Sequence, residues 1–269
     1  MTMRIASLGM YDNAGQQAAN DRLWDALAAI LRARGVADVP ERIERRRPVQ
    51  ALWHDPNLLF GQICGFPLLK ETTLALQVIG MPVYAAPGCG EGTHRSFLVS
   101  RYGDADRLVA YRGRRAAIND RGSNTGMNLF RASIAPLAAG EAFFGAVVET
   151  GSHRQSIRAL ILDEADIAAI DSVTFAAVLR AEPELAPSLQ VLGATAEAAT
   201  PPFVTAAGTP PETVAILRAA LAEVIADTAL TEARAALFLR DIIPGDRDRY
   251  VPLLTLEAEA KAAGYPELI

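Results

Sequence analysis

Two lysines, two cysteines and three histidines in 269 residues leave several chemistries without their usual carriers. Cys64 and Cys89 are too few for a disulfide framework and are expected as thiols. No Cys-x-x-Cys pair or His-Glu-x-x-His spacing offers a zinc set. No metal and no cofactor are therefore expected. Schiff-base chemistry would depend on Lys70, because Lys261 lies in a polar C-terminal stretch. The phosphate loop Gly-x-x-x-x-Gly-Lys is absent, and GCGEG lacks the spacing of a dinucleotide fingerprint. No run approaches the roughly 18 apolar residues of a membrane span, so insertion into a bilayer is not expected. Basic residues are not in excess: 26 stand against 31 acidic ones, a net charge of -5, which excludes a nucleic-acid backbone as a natural partner. The densest basic run, Arg42 with Arg45, Arg46 and Arg47, is broken by Glu44 and stopped by Pro48, the pattern of a solvated edge strand without a functional role. The opening MTMRIASLGMYDNAG has no secretory pattern. As the sequence stands it predicts a cytoplasmic protein, and a periplasmic one if an upstream export signal has been removed.

What is present is a chain 51% hydrophobic, enough to bury a substantial core. Strand-like runs alternate with helical ones. Arg4 to Tyr11 reads as a strand. Gln16 to Arg34 reads as a helix with Leu23, Leu27, Ile30 and Leu31 on one face, ended by Gly35. Leu58 to Cys64, Leu74 to Ala85 and His94 to Arg101 read as further strands. A second series follows: strand Arg115 to Asn119, helix Thr125 to Ala138, strand Phe144 to Glu149, helix Ser152 to Leu162 and strand Asp166 to Ile170. Leu189 to Ala194 and Phe203 to Ala206 are short strands, and Pro211 to Ala226 and Val251 to Ala263 are surface helices. The alternation predicts an α/β protein with largely parallel sheets, in which ligands gather at the carboxyl ends of strands. Two lobes are expected: residues 1–106 with 190–269, and 107–189 between them.

Three polar corners fall in the second series. In RGSNTGMN, Ser123 suits a helix N-cap, and Gly122 and Gly126 allow a tight turn. First-turn amides have no partner within a helix, so the same corner can cap a helix or cradle an oxyanion with help from Ser123, Asn124 and Thr125. ETGSHRQSIRAL repeats the design, with Ser152 as the cap and His153 in the first turn, its ring expected to be exposed and able to donate to an anion. At ADIAAIDSVTF the strand ends on Asp171. This carboxylate either caps the next helix or accepts from a hydroxyl or amine of a ligand.

The ordered set RGSNTGMN, FFGAVVETGSHRQSI and DEADIAAID, preceded by GCGEGTHRSFLVSR, resembles the phosphate/phosphonate-type (PhnD-like) substrate-binding proteins of ABC importers over most of the chain. The resemblance implies a two-lobed class II periplasmic-binding-protein fold, each lobe a mixed sheet flanked by helices, with a hinge and an interlobe cleft. It implies a non-catalytic, monomeric protein that closes on a small ligand bearing a phosphate, phosphonate, phosphate ester or carboxylate, with an ABC permease as its partner. Carried over by position, it implicates Ser123, Asn124, Thr125 and His153 as oxyanion contacts. It also places His94 where relatives have an aromatic residue, Asp171 at the lip of the cleft and Tyr11 on the opposite wall.

Three other functions share parts of this pattern. Ser123, His153 and Asp171 are the residue types of a hydrolytic triad, but no Gly-x-Ser-x-Gly elbow is present. A pyridoxal-phosphate-dependent pyrimidine-precursor synthase on a related fold would need Lys70 desolvated. A cytosolic ligand-sensing subunit would use the same binding corners.

Overall fold

The computed structural model describes residues 4–269, which divide into two compact units. The first holds the residues up to Ala85 together with Gly90–Gly92 and Ala199–Arg249. The second holds Ala86–Cys89, Thr93–Ala198 and Tyr250–Ile269.

In the first unit a five-stranded sheet runs in the order Ile5–Ala6, Leu58–Gln62, Phe203–Ala206, Leu76–Tyr84 and Leu239–Ile243. Only the first pair is parallel. The sheet is therefore mixed rather than largely parallel. Helix Gln17–Ala33 buries Leu23, Trp24, Leu27 and Leu31, the 3.6-residue spacing visible in the sequence. It stops at Gly35, whose φ of 79° is the left-handed conformation that glycine adopts without strain. The first strand is shorter than expected. After Ala6 the chain tightens into a 3-10 turn at Gly9–Tyr11, where the Tyr11 amide donates to the Leu8 carbonyl at 3.2 Å.

The basic run is not an edge strand. Between Glu41 and Pro48 the backbone is irregular, and the arginines are held by carboxylates: Arg45 meets Asp12 at 2.5 Å and Asp21 at 2.7 Å, and Arg47 meets Asp55 at 2.8 Å. The edge position is taken instead by Leu239–Ile243. That strand is masked in the sequence because Arg240 and Asp241 interrupt its apolar residues.

In the second unit the sheet order is Ala146–Glu149, Arg115–Ile118, Ile167–Asp171, Ser96–Arg101 and Leu189–Ala194. The first three strands are parallel, with Ile118 opposite Glu149 and Ala117 opposite Ala168. Ser96–Arg101 pairs antiparallel with both of its neighbours. Parallel strands need crossover helices, and helices Leu129–Ala138 and His153–Ile161 supply them. The helix for which Asp171 is the candidate cap, given no range from sequence, is Ser172–Ala181 and follows the third strand.

The terminal segment belongs to this second unit, not to the first as expected. Helix Val251–Ala262 packs on Leu129–Ala138, and Ala260, Tyr265 and Leu268 enter a core with Phe130, Ile134, Phe143 and Phe144. The amides of Phe143 and Phe144 donate to the Ile269 carbonyl at 2.8 and 2.9 Å. Hydrophobic contact and backbone pairing thus hold the chain end here. The strand Ser96–Arg101, also assigned to the other lobe from sequence, is a central strand of this sheet.

At the amino ends of the parallel strands, Asp166 accepts from the Arg115 amide at 2.8 Å and from the guanidinium groups of Arg115 and Arg101. Arg115 beside it, chiefly, holds its carboxyl well below the usual range. Asp166→Ala leaves the Arg115 amide without its acceptor and is expected to destabilise the second unit by about 1–3 kcal/mol in chemical denaturation.

Candidate functional site

The three parallel strands end at one edge of the sheet, and each releases the chain into a polar corner. After Ile118, the Gly122 amide donates to Asp120 Oδ1 at 2.6 Å, closing a tight turn. Ser123 is extended, with φ of −68° and ψ of 137°, and its Oγ accepts from the Gly126 amide at 3.0 Å. The expected cap is formed. The helix it opens is not α-helical at once: Asn124–Asn128 is a single π turn, with the Leu129 amide reaching the Asn124 carbonyl and the Asn128 amide the Ser123 carbonyl. Such wide turns recur at functional positions. Ser123, Asn124 and Thr125 are all buried.

The π turn is fixed from below. Ser96 Oγ donates to the Thr125 carbonyl at 2.8 Å. Asn128 Nδ2 donates to Asn124 Oδ1 at 3.1 Å and to the Leu253 carbonyl at 3.2 Å, while Arg131 donates to Asn128 Oδ1 at 2.7 Å. None of Ser96, Asn128 or Arg131 was singled out from sequence. They act through contacts across the unit, which no local motif records.

At the second corner Gly151 has φ of 85°, and Ser152 Oγ accepts from the Gln155 amide at 3.2 Å. His153, the first helical residue, turns inward rather than outward. Its Nε2 lies 3.0 Å from Thr125 Oγ1, and its Nδ1 is shielded from solvent. Burial pushes the His153 imidazole below its ordinary pKa, opposed by nearby Asp171 and reinforced by His94. The ring is therefore neutral near pH 7. In the tautomer with its proton on Nε2 the ring donates to Thr125 Oγ1 and leaves the threonine proton available to an anion; in the other the threonine donates to Nε2. Ser123 Oγ serves as the cap, and the hydroxyl within reach of His153 Nε2 is that of Thr125.

Gly126 stands where these two corners meet. A Cβ built there would lie 1.8 Å from Asn119 Oδ1 and 3.1 Å from His153 Cε1. Asn119, whose Oδ1 is buried, was assigned no role from sequence; its signal was its place at the carboxyl end of a strand just before the glycine and serine turn.

At the third corner Asp171 forms the cap that was one of its two readings. Its Oδ1 accepts from the Thr174 amide at 2.9 Å, which caps helix Ser172–Ala181, and its Oδ2 lies 2.8 Å from His94 Nδ1. The two side chains are 3% and 2% exposed, so almost none of the carboxylate meets solvent. Burial pushes the Asp171 carboxyl up; the adjacent His94, with His153 and the Thr174 amide, outweighs this and holds it below its ordinary value. Cys89 Sγ lies 3.4 Å from Ser172 Oγ, and burial pushes its thiol up to about 11, the protonated form at neutral pH.

Tyr11 belongs to the first unit. There its ring meets Tyr84 edge-on at 5.2 Å and borders a cavity of about 20 Å³ with Leu8, Asn20 and Gln62. Thr125, His153, Asp171 and His94 are brought together, with Ser123 and Asn124 beside them in the same π turn. Lys70 is exposed beside the Phe66 ring, and Lys261 is half-exposed against Glu257 at 3.0 Å. Neither has the desolvated setting that a Schiff-base lysine needs. Among the described residues no group of His, Cys, Asp and Glu is arranged to hold a metal ion, and no helix is long and apolar enough to cross a membrane.

Residues 66–250 match the family model described as ABC transporter, phosphonate, periplasmic substrate-binding protein. No curated protein matches the sequence. Among solved structures, a binding-protein component of an ABC phosphonate transporter from Pseudomonas aeruginosa is 15% identical over 97% of this chain and 87% of its own, with a TM-score of 0.75. PhnD1 from Prochlorococcus marinus, in complex with methylphosphonate, is 13% identical over 96% and 98%, with a TM-score of 0.73. XAC2383 from Xanthomonas citri, bound to ATP, is 15% identical over 97% of each chain, with a TM-score of 0.71. At these identities the likeness is one of fold, the two-lobed periplasmic-binding-protein fold of mixed sheets flanked by helices.

Proposed function

The chain belongs to the phosphonate-type periplasmic substrate-binding proteins of ABC transporters, and we propose that it captures a small oxyanion-bearing ligand at the helix starts of its second unit without transforming it. The ligand head is a phosphonate, phosphate, phosphate ester or carboxylate, and the protein delivers it to a permease. The observation that carries this is the 3.0 Å contact between Thr125 Oγ1 and His153 Nε2. It joins two helix starts that leave neighbouring parallel strands, so two sets of first-turn amides, a hydroxyl and an imidazole converge. An anion is what such a donor set lacks. Ser123 supports the mouth by capping, Asn124 and Thr125 supply donors, and His153 orients the threonine hydroxyl.

Calorimetric titration with methylphosphonate, phosphate and acetate tests this. At least one probe is expected to bind, and Thr125→Val, which keeps the shape but removes the hydroxyl, is expected to weaken it by roughly 10- to 100-fold, the worth of one hydrogen bond to a charged group. Equal affinity in parent and variant would place the ligand elsewhere.

A further inference from the structure

We propose that this site selects anions that carry no ammonium group near the head, because the one carboxylate at its base is already consumed by His94 and a helix cap. The inference rests on the oxyanion-binding role above and narrows it to a ligand class. A zwitterionic ligand, such as an aminoalkyl phosphonate, needs an acceptor for its cationic end as well as donors for its anionic end. From sequence, Asp171 was the natural acceptor. In the folded unit its Oδ1 takes the Thr174 amide and its Oδ2 faces His94 Nδ1 at 2.8 Å, with almost no surface left to a ligand.

Two other acidic groups at the same edge of the sheet lie nearer solvent, Asp120 part-buried and Glu149 half-exposed. Asp120 Oδ1 accepts from the Gly122 amide at 2.6 Å, and Glu149 faces the Arg121 side chain at 3.6 Å. Arg95, the residue after His94, is paired with Glu197. The Cys89 thiol is held protonated and offers no charge. An ammonium group placed here meets backbone amides that repel it, and finds only neutral acceptors, the hydroxyl oxygens and the buried Asn119 Oδ1, where it needs a carboxylate in place of water. His94 thus acts as a specificity residue: it occupies the acceptor from within, where a ligand's own cation would otherwise sit.

Two probes of equal length separate the cases. Propylphosphonate and 2-aminoethylphosphonate differ only in a terminal methyl against an ammonium. Titrated into the full chain, propylphosphonate is expected to bind roughly tenfold tighter or more. Equal affinity, or tighter binding of the amino compound, overturns the inference while leaving the oxyanion role intact. Binding of neither, with phosphate also failing, overturns both. His94→Phe keeps a ring and uncovers Asp171, and it is expected to shift the ratio of the two affinities toward 2-aminoethylphosphonate. Should that variant fail to fold, Asp171→Asn with His94 retained serves instead: it is expected to keep the preference for propylphosphonate, and a marked further loss of 2-aminoethylphosphonate binding in it would show that Asp171 had been receiving the ammonium group.

Discussion

Gly126→Ala is expected to abolish measurable methylphosphonate binding while destabilising the protein by about 1–3 kcal/mol, the usual cost of forcing an extra carbon into a packed site. The added Cβ would fall 1.8 Å from Asn119 Oδ1 and 3.1 Å from His153 Cε1, distances at which the neighbours must move. Any shift of the His153 ring separates Nε2 from Thr125, and a displacement near 1 Å is enough to disorganise a donor set. Urea unfolding and calorimetry read the two effects separately. The double variant Gly126→Ala with Asn119→Gly removes the obstruction and is expected to recover most of the stability. A Gly126→Ala protein that binds and unfolds like the parent would show that the corners are not packed as described.

His153→Phe is expected to weaken binding by roughly 10- to 100-fold, since the ring volume stays but the hydrogen bond that orients Thr125 is gone. The same histidine gives a pH signature. Its folded pKa lies below the ordinary value of 6.5 because desolvation disfavours the charged ring. As pH falls through 6.5, the unfolded chain takes up a proton that the folded one refuses, so ligand-free stability declines from there until the folded pKa is reached. Asp171 adds a separate window at lower pH: its depressed pKa contributes stability above about 3.8 that is lost as pH falls through the folded value. An anion reverses the sign for His153, because it favours the charged ring. For a ligand whose own charge is constant across the window, affinity is expected to rise as pH falls, and His153→Phe is expected to flatten both the stability and the affinity profiles.

Local signals in the chain carried the parts of this account that depend on one or two turns. Ser123, Ser152 and Asp171 cap the helices that follow them, as their residue types at strand-to-helix corners required. The apolar spacing of helix Gln17–Ala33 was equally plain. Features set by register were not legible. Ser96 pairs opposite Asp171, which brings His94 beside the end of that strand, and nothing near either residue in sequence states that pairing. The inward turn of His153 depends on Thr125 being there to receive it. The C-terminal helix has little amphipathic pattern of its own, so its placement against Phe130 and Ile134 is decided by the core that it completes. The proposed role of the corners comes from resemblance to a family; their partners come from packing.

The central claim is that an oxyanion is held at the Thr125–His153 contact. With only three histidines in the chain, imidazole nitrogen resonances of labelled protein can be followed while methylphosphonate is added. His153 Nε2 is expected to shift and saturate at the calorimetric affinity, while His54, paired with Glu71 in the other unit, stays in place. A saturating ligand that leaves His153 unmoved would contradict the account.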